Sequence, residues 1–187
     1  MKHIILLSDT HHTLDERFFP HFKKADEIWH AGDIGGLEVT DKLKEFAPTR
    51  AVWGNIDNRT TRTEFKGNLY FKCEKVNVMM THIGGYPGRY EKKILQLIEQ
   101  AKPDLFICGH SHILKVMYDK KNNLLHMNPG AIGDYGIHKV KTILSFNIEG
   151  KEIKDLKVIE FPRIKSYRIL SADFTNFSSF LIKKLAA

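Results

Sequence analysis

The stretch Ile4-Ile5-Leu6-Leu7-Ser8-Asp9-Thr10-His11 decides the fold: an unbroken apolar run stops abruptly at a carboxylate and an imidazole. Successive side chains of a strand leave opposite faces, so an apolar run without alternation reads as a strand covered on both sides. The phrase returns twice. Residues 27–31 read as a second strand ending in Gly32-Asp33, and residues 49–53 as a third ending in Gly54-Asn55-Ile56-Asp57. Between them lie helical spacings. Leu14, Phe18, Phe19 and Phe22 mark residues 14–25, interrupted by Pro20, and Leu37, Thr40, Leu43 and Phe46 mark residues 37–46. Strand, helix, strand, helix, strand predicts a parallel sheet with right-handed crossovers.

Further along, strands are predicted over 69–73, 76–81, 105–108, 113–118, 123–127, 142–147 and 152–161, with a helix over 90–101. The expectation is a mixed α/β domain, parallel at first and antiparallel later. Pro162 closes the last strand, so the domain is set at 1–162. Residues 163–187 are read as a C-terminal extension, helical from the spacing of Leu170, Phe174, Phe177, Leu181 and Leu185. The 187-residue length suits one such domain.

Lys and Arg number 29 against 22 Asp and Glu, a formal net charge of +7. The cations are scattered rather than gathered on one stretch, so they read as a solvated surface and nucleic acid is not an expected partner. Arg89, Lys139 and Lys141 are included in that reading. Cys73 and Cys108 sit in apolar strands as buried thiols, which points to a cytoplasmic protein. The N-terminal apolar run is too short for a signal peptide, and no stretch approaches the roughly 20 apolar residues of a membrane helix.

Metal-capable side chains occur in five clusters, each just after a predicted strand: Asp9 with His11, Asp33, Asn55, His82, and His110 with His112. Ligands bind outside the carboxyl ends of the strands in α/β sheets, so these residues are expected on one rim. In extended backbone the i, i+2 spacing of Asp9/His11 and of His110/His112 would aim each pair at one ion. Seven donors exceed the four of tetrahedral zinc and suit two ions of higher coordination, with Asp33 as the shared carboxylate. Imidazole and carboxylate without thiolate favour manganese, iron or zinc. The remaining histidines, such as His3, His21, His30 and His126, read as surface or satisfied core residues.

Taken together, Asp9-x-His11, Gly32-Asp33, Gly54-Asn55, His82 and Gly109-His110-x-His112 resemble the calcineurin-like metallophosphoesterase superfamily. Within it the chain is similar to the short bacterial and archaeal phosphodiesterase branch, which shares its fold with the retromer scaffold subunit. The resemblance implies an α/β fold of two facing mixed sheets flanked by helices, a four-layer sandwich. It assigns Asp9, His11, Asp33 and His112 to one divalent ion and Asp33, Asn55, His82 and His110 to the other. Manganese is favoured, with iron, zinc or nickel as alternatives. Asn128, in Asn128-Pro129-Gly130, resembles a loop that approaches the site.

The implied activity is hydrolysis of a small phosphate ester, a diester before a monoester, by in-line attack of a metal-bridging hydroxide with no side-chain nucleophile. Ile56 occupies the position where many superfamily members carry a histidine, and Ile83 follows His82 where branch relatives often have a second one. His12 is therefore weighed as a stand-in acid, and residues 84–89 and 135–141 as pocket walls. The competing expectation is a non-catalytic protein-binding scaffold, and a homo-oligomer is allowed by either.

Overall fold

A computed structural model describes residues 1–163. In chain order the elements are β1 (Lys2–Leu7), α1 (Phe19–Phe22, led in by a 3₁₀ turn at Glu16–Phe18), β2 (Glu27–His30), α2 (Leu37–Lys44), β3 (Thr49–Ala51), α3 (Arg59–Glu64), β4 (Asn68–Cys73) and β5 (Val76–Thr81). They continue as β6 (Gly85–Tyr86), β7 (Arg89–Tyr90), α4 (Lys92–Ala101), β8 (Leu105–Ile107), β9 (Leu114–Asp119), β10 (Leu124–Pro129), β11 (Val140–Glu149) and β12 (Glu152–Pro162).

Two five-stranded sheets result, ordered β12-β11-β1-β2-β3 and β4-β5-β8-β10-β9. In the first, β1, β2 and β3 are parallel, as their crossovers require, and β11 returns antiparallel to β1. The second departs from the expectation of an antiparallel later half. Its centre is parallel, β5 with β8 and β8 with β10, and only the edge strands β4 and β9 are antiparallel. Helix α4 bridges β5 to β8, which is why that pair is parallel.

The apolar run of β1 serves two cores at once. Ile4 and Leu6 join Trp29, Val78, Met80, Leu105, Ile107 and Phe146 between the sheets. Ile5 and Leu7 face the other way, onto Phe18, Phe22, Val39 and Leu43 from the first two helices. On the far side of the second sheet, Met79 and Phe106 pack against Ile94 and Ile98 of α4. Helix, sheet, sheet and helix thus form four layers, as expected. Trp29 is fully buried in the central layer, where truncation to alanine costs about 3–5 kcal/mol.

Three local expectations are corrected. Helix α3 has too little apolar periodicity to be seen in sequence; it is started by Asn58, whose side chain accepts from Thr61 N. The hairpin β6–β7 takes Tyr90 out of the expected helix, which begins at Lys92. Lys141 is not a surface cation: its ammonium is buried between Asp134 (2.6 Å) and Asp15 (3.1 Å).

Next to the expected boundary, the last described residue is held by the domain. Arg163 is built into the domain, its guanidinium donating to the carbonyls of Ala131, Gly133, Tyr135, His138 and Val140. The helix expected from Leu170 to Leu185 lies outside the described residues. Among the described residues no helix is long and apolar enough to cross a membrane.

Candidate metal centre

All five clusters emerge at the carboxyl ends of parallel strands: Asp9 and His11 after β1, Asp33 after β2, Asn55 after β3, His82 after β5, His110 and His112 after β8. The two sheets face each other, so these ends meet along one edge of the sandwich. Backbone bonds lace the loops together. Asp9 N donates to Gly32 O (2.9 Å), His11 N to Asp33 O (3.1 Å) and Gly109 N to His82 O (2.9 Å).

The structure brings the seven residues into two overlapping groups. Donor atoms of Asp9, His11, Asp33 and His112 lie within 4.8 Å of one another, as do those of Asp33, His82 and His110. Asn55 joins the second group, its Oδ1 3.1 Å from His82 Nε2. Asp33 belongs to both. His110 and His112 fall in different groups, so the i, i+2 argument for a shared target fails there. Its premise fails as well, because the backbone is not extended. Asp9, His11, Asp33, His110 and His112 all have positive φ, from 46° to 67°. Left-handed backbone in non-glycine residues is costly and concentrates where a site demands it.

Close approach explains the glycines of two motifs. A Cβ on Gly54 would lie 2.1 Å from Asp33 Oδ1 and 2.3 Å from its backbone nitrogen. One on Gly109 would meet Ser8 Oγ at 2.1 Å.

Electrostatically the groups are arranged for a cation. His82 Nδ1 donates to Ala31 O at 2.8 Å, which directs Nε2 to Asp33 Oδ1 and Asn55 Oδ1, both 3.1 Å away. A ring nitrogen held against two oxygens needs positive charge between them. Burial opposes charging His82, but Asp33 and Asp9 outweigh it and raise its pKa. At His11 burial prevails and lowers the pKa despite the same carboxylates. Asp9 is fully buried; its Oδ1 makes no aligned hydrogen bond although His112 Nε2 stands 3.2 Å away, while Oδ2 accepts from His110 N at 3.2 Å. An orphaned buried carboxylate oxygen among imidazole nitrogens fits a divalent metal, and the oriented imidazole of His82 is the arrangement that ligating histidines use.

Residues behind these side chains hold them in place, and two of them escaped sequence reasoning. Asp57 is buried and accepts from Gly35 N (2.7 Å), Ile34 N (3.2 Å) and Gly54 N (2.7 Å), tying the Asp33 loop to the Asn55 loop. Its place in the third cluster was the only signal. His30, read as a satisfied core residue, is satisfied by accepting from Gly32 N and donating to Thr10 Oγ1. Thr10 in turn donates to Ile34 O, so this buried trio splices the first two loops. Asn128 stands at the end of β10, donates to Gly109 O (2.8 Å) and Ser111 Oγ (3.1 Å), and braces the turn that carries His110. His12 belongs to neither donor group; it is an exposed ring with Nδ1 3.5 Å from Glu38 Oε1.

Two recesses flank the second group. One, about 350 Å³, adjoins His110 and Asn128 and is walled by residues 83–86. The other, about 360 Å³, adjoins Asn55 and His82 and is walled by Trp53, Arg62 and Lys93. The expected wall at residues 135–141 contributes Tyr135, whose ring centroid is 6.0 Å from that of His11.

Residues 1–151 match the calcineurin-like phosphoesterase superfamily domain. A probable metallophosphoesterase of Methanocaldococcus jannaschii is 30% identical over 152 residues, covering 78% of this chain and 76% of its own. One from Methanothermobacter thermautotrophicus is 28% identical over 131 residues, covering 67% and 74%. Among solved structures, Vps29 of Entamoeba histolytica complexed with zinc has a TM-score of 0.67 at 17% identity, covering 87% of this chain and 99% of that one. An archaeal phosphodiesterase has a TM-score of 0.61 at 20% identity, covering 84% and 99%. Likeness at these identities is a likeness of fold.

Proposed function

This chain belongs to the calcineurin-like phosphoesterase superfamily, and from that premise we propose that it is a phosphodiesterase dependent on two divalent cations. Asp9, His11, Asp33 and His112 would hold one and Asp33, Asn55, His82 and His110 the other, manganese being the favoured ion. The observation that carries the reading is Asp33, the one carboxylate common to both donor groups. When bound, such ions supply an activated water as nucleophile and neutralise charge on the phosphoryl oxygens.

The chain's own residues do the positioning. Ala31 O fixes the ring of His82, His110 N anchors Asp9, and Ile56 N donates to Asp33 Oδ1 at 3.1 Å, which orients the shared carboxylate. Preorganised groups of this kind need no rearrangement as charge develops on phosphorus. The second group lies between two recesses, which supports a diester, since phosphorus there would have room for a substituent on either side. His12 is the proton donor we assign to the leaving oxygen, because it is the imidazole nearest in sequence to the ligand loop that is not itself in a donor group. Residues 1–162 are the proposed catalytic unit, completed by Arg163, with the remainder a separate extension. Buried free thiols at Cys73 and Cys108 support a reducing, cytoplasmic setting.

Metal analysis together with hydrolysis of bis(p-nitrophenyl) phosphate tests this reading. Two ions per chain and manganese-dependent turnover are expected. Binding without turnover under any divalent ion would overturn it in favour of a scaffold, the role raised by the shared fold.

A further inference from the structure

The recess beside His110 is built unlike a solvated surface. Ile83, Tyr86 and Ile113 expose 40%, 38% and 40% of their surface around it. Three large apolar side chains converging on one concavity mark a binding surface. The Lys115 ammonium lies 4.2 Å from the centroid of the Tyr86 ring. His126 lines the same recess. It is fully buried, and neither of its ring nitrogens has a hydrogen-bond partner. Burial, aided by Lys115, pushes its pKa down to about 4, so at neutral pH it is a neutral ring with one donor and one acceptor unspent.

We propose that this recess receives one ester arm of the substrate and that the arm is a planar heteroaromatic group of nucleobase type. The inference rests on the phosphoesterase reading and narrows it to a substrate class. At about 350 Å³ the recess lies in the range of small-molecule sites, roughly 300–1,000 Å³. His110 belongs to both the second donor group and the recess, so an arm lying here stays within covalent reach of a phosphate at that group. Tyr86 offers a face for stacking, which favours any planar ring. An alkyl or plain phenyl arm would leave Lys115, Glu91 and Ser111 facing apolar atoms. A nucleobase combines flat faces with donors and acceptors along its edges, matching both parts of the wall.

Equilibrium binding separates this inference from the catalytic one. Thymidine 5′-monophosphate, p-nitrophenyl phosphate and methyl phosphate are titrated against the full-length protein, metal-loaded and chelated. The nucleotide is expected to bind at least tenfold tighter than methyl phosphate in both forms. Tyr86→Ala is expected to erase most of that preference, about tenfold for one lost stacked base, leaving methyl phosphate affinity and metal content as in the wild type. His126→Phe keeps an aromatic ring, though a larger one, and removes the nitrogens; it should narrow the gap between thymidine monophosphate and p-nitrophenyl phosphate. Equal affinity for nucleotide and methyl phosphate would overturn the inference. So would p-nitrophenyl phosphate binding as tightly as the nucleotide, or Tyr86→Ala weakening all three ligands alike. Base-dependent binding without turnover of any diester would instead remove the catalytic reading and leave the recess assigned.

Discussion

His11 Nε2 and His112 Nε2 lie 3.3 Å apart, with Asp9 Oδ1 3.2 Å from the latter and Asp33 Oδ2 3.7 Å from the former. Two imidazole nitrogens cannot face each other that closely with lone pairs on both. A proton or a cation must lie between them, and two carboxylates at the same point favour the divalent charge.

Removing that charge has a measurable cost. Chelation is expected to lower the Tm and manganese to restore it, because a ligand bound only by the folded chain stabilises it. Asp33→Asn, which takes the shared carboxylate from both groups, is expected to hold at most one ion per chain. Its diesterase activity should fall by roughly 100-fold or more. Full metal content and activity in that variant would rule out the shared role.

Gly54→Ala probes the packing of the same carboxylate. The added methyl would meet the Asp33 backbone nitrogen at 2.3 Å, and backbone cannot swing aside as a side chain can. Loss of metal stoichiometry in a chain that still folds is expected, read by metal analysis and circular dichroism. Gly150→Ala, where a Cβ would meet nothing within 4 Å, is the control. It bears only the strain of a φ of 59°.

Asp57→Ala should damage stability and site together. Three buried amides, those of Ile34, Gly35 and Gly54, lose their acceptor. At about 1–3 kcal/mol for an unsatisfied buried group, a total of about 2–5 kcal/mol is expected, since the loops relax in part. Denaturant unfolding gives that number, and weaker metal affinity should accompany it.

Acid should destabilise the fold before its carboxylates protonate. Burial pushes the pKa of His30 and of His126 down to about 4 from 6.5. Between those values the unfolded chain binds protons that the folded chain refuses, so stability falls as pH drops from about 6.5 to about 4 and is fully present above that window. Each histidine contributes up to about 3 kcal/mol over the window. In the chelated protein other shifted histidines such as His11 and His82 titrate as well, so the comparison of wild type with His126→Phe isolates the His126 share, and that variant should flatten the Tm-against-pH curve.

His12→Ala tests the leaving-group assignment. Rates on an ester with a poor leaving group should fall at least tenfold, while an activated nitrophenyl ester, which needs little protonation, should be affected far less. Equal rates on the poor-leaving-group ester would remove His12 from the reaction.

The sequence alone pointed to the ten longer strands and to seven donor-type residues at strand ends, and the family resemblance it carries implied the four-layer class. Apolar runs ending in Asp, Asn or His are local patterns, and the parallel crossover that aligns their ends follows from chain chirality. Tertiary structure decided which donors share a group. His110 and His112 are neighbours in the chain but part company, because a left-handed backbone at both sends their rings apart. It also decided what Asp57, Thr10 and His30 do. A carboxylate, a hydroxyl or an imidazole looks the same in sequence whether it faces a cation or a backbone amide. Only the packing of loops from two sheets separates those fates, and the recess around Tyr86 and His126 exists only because residues forty positions apart line it together.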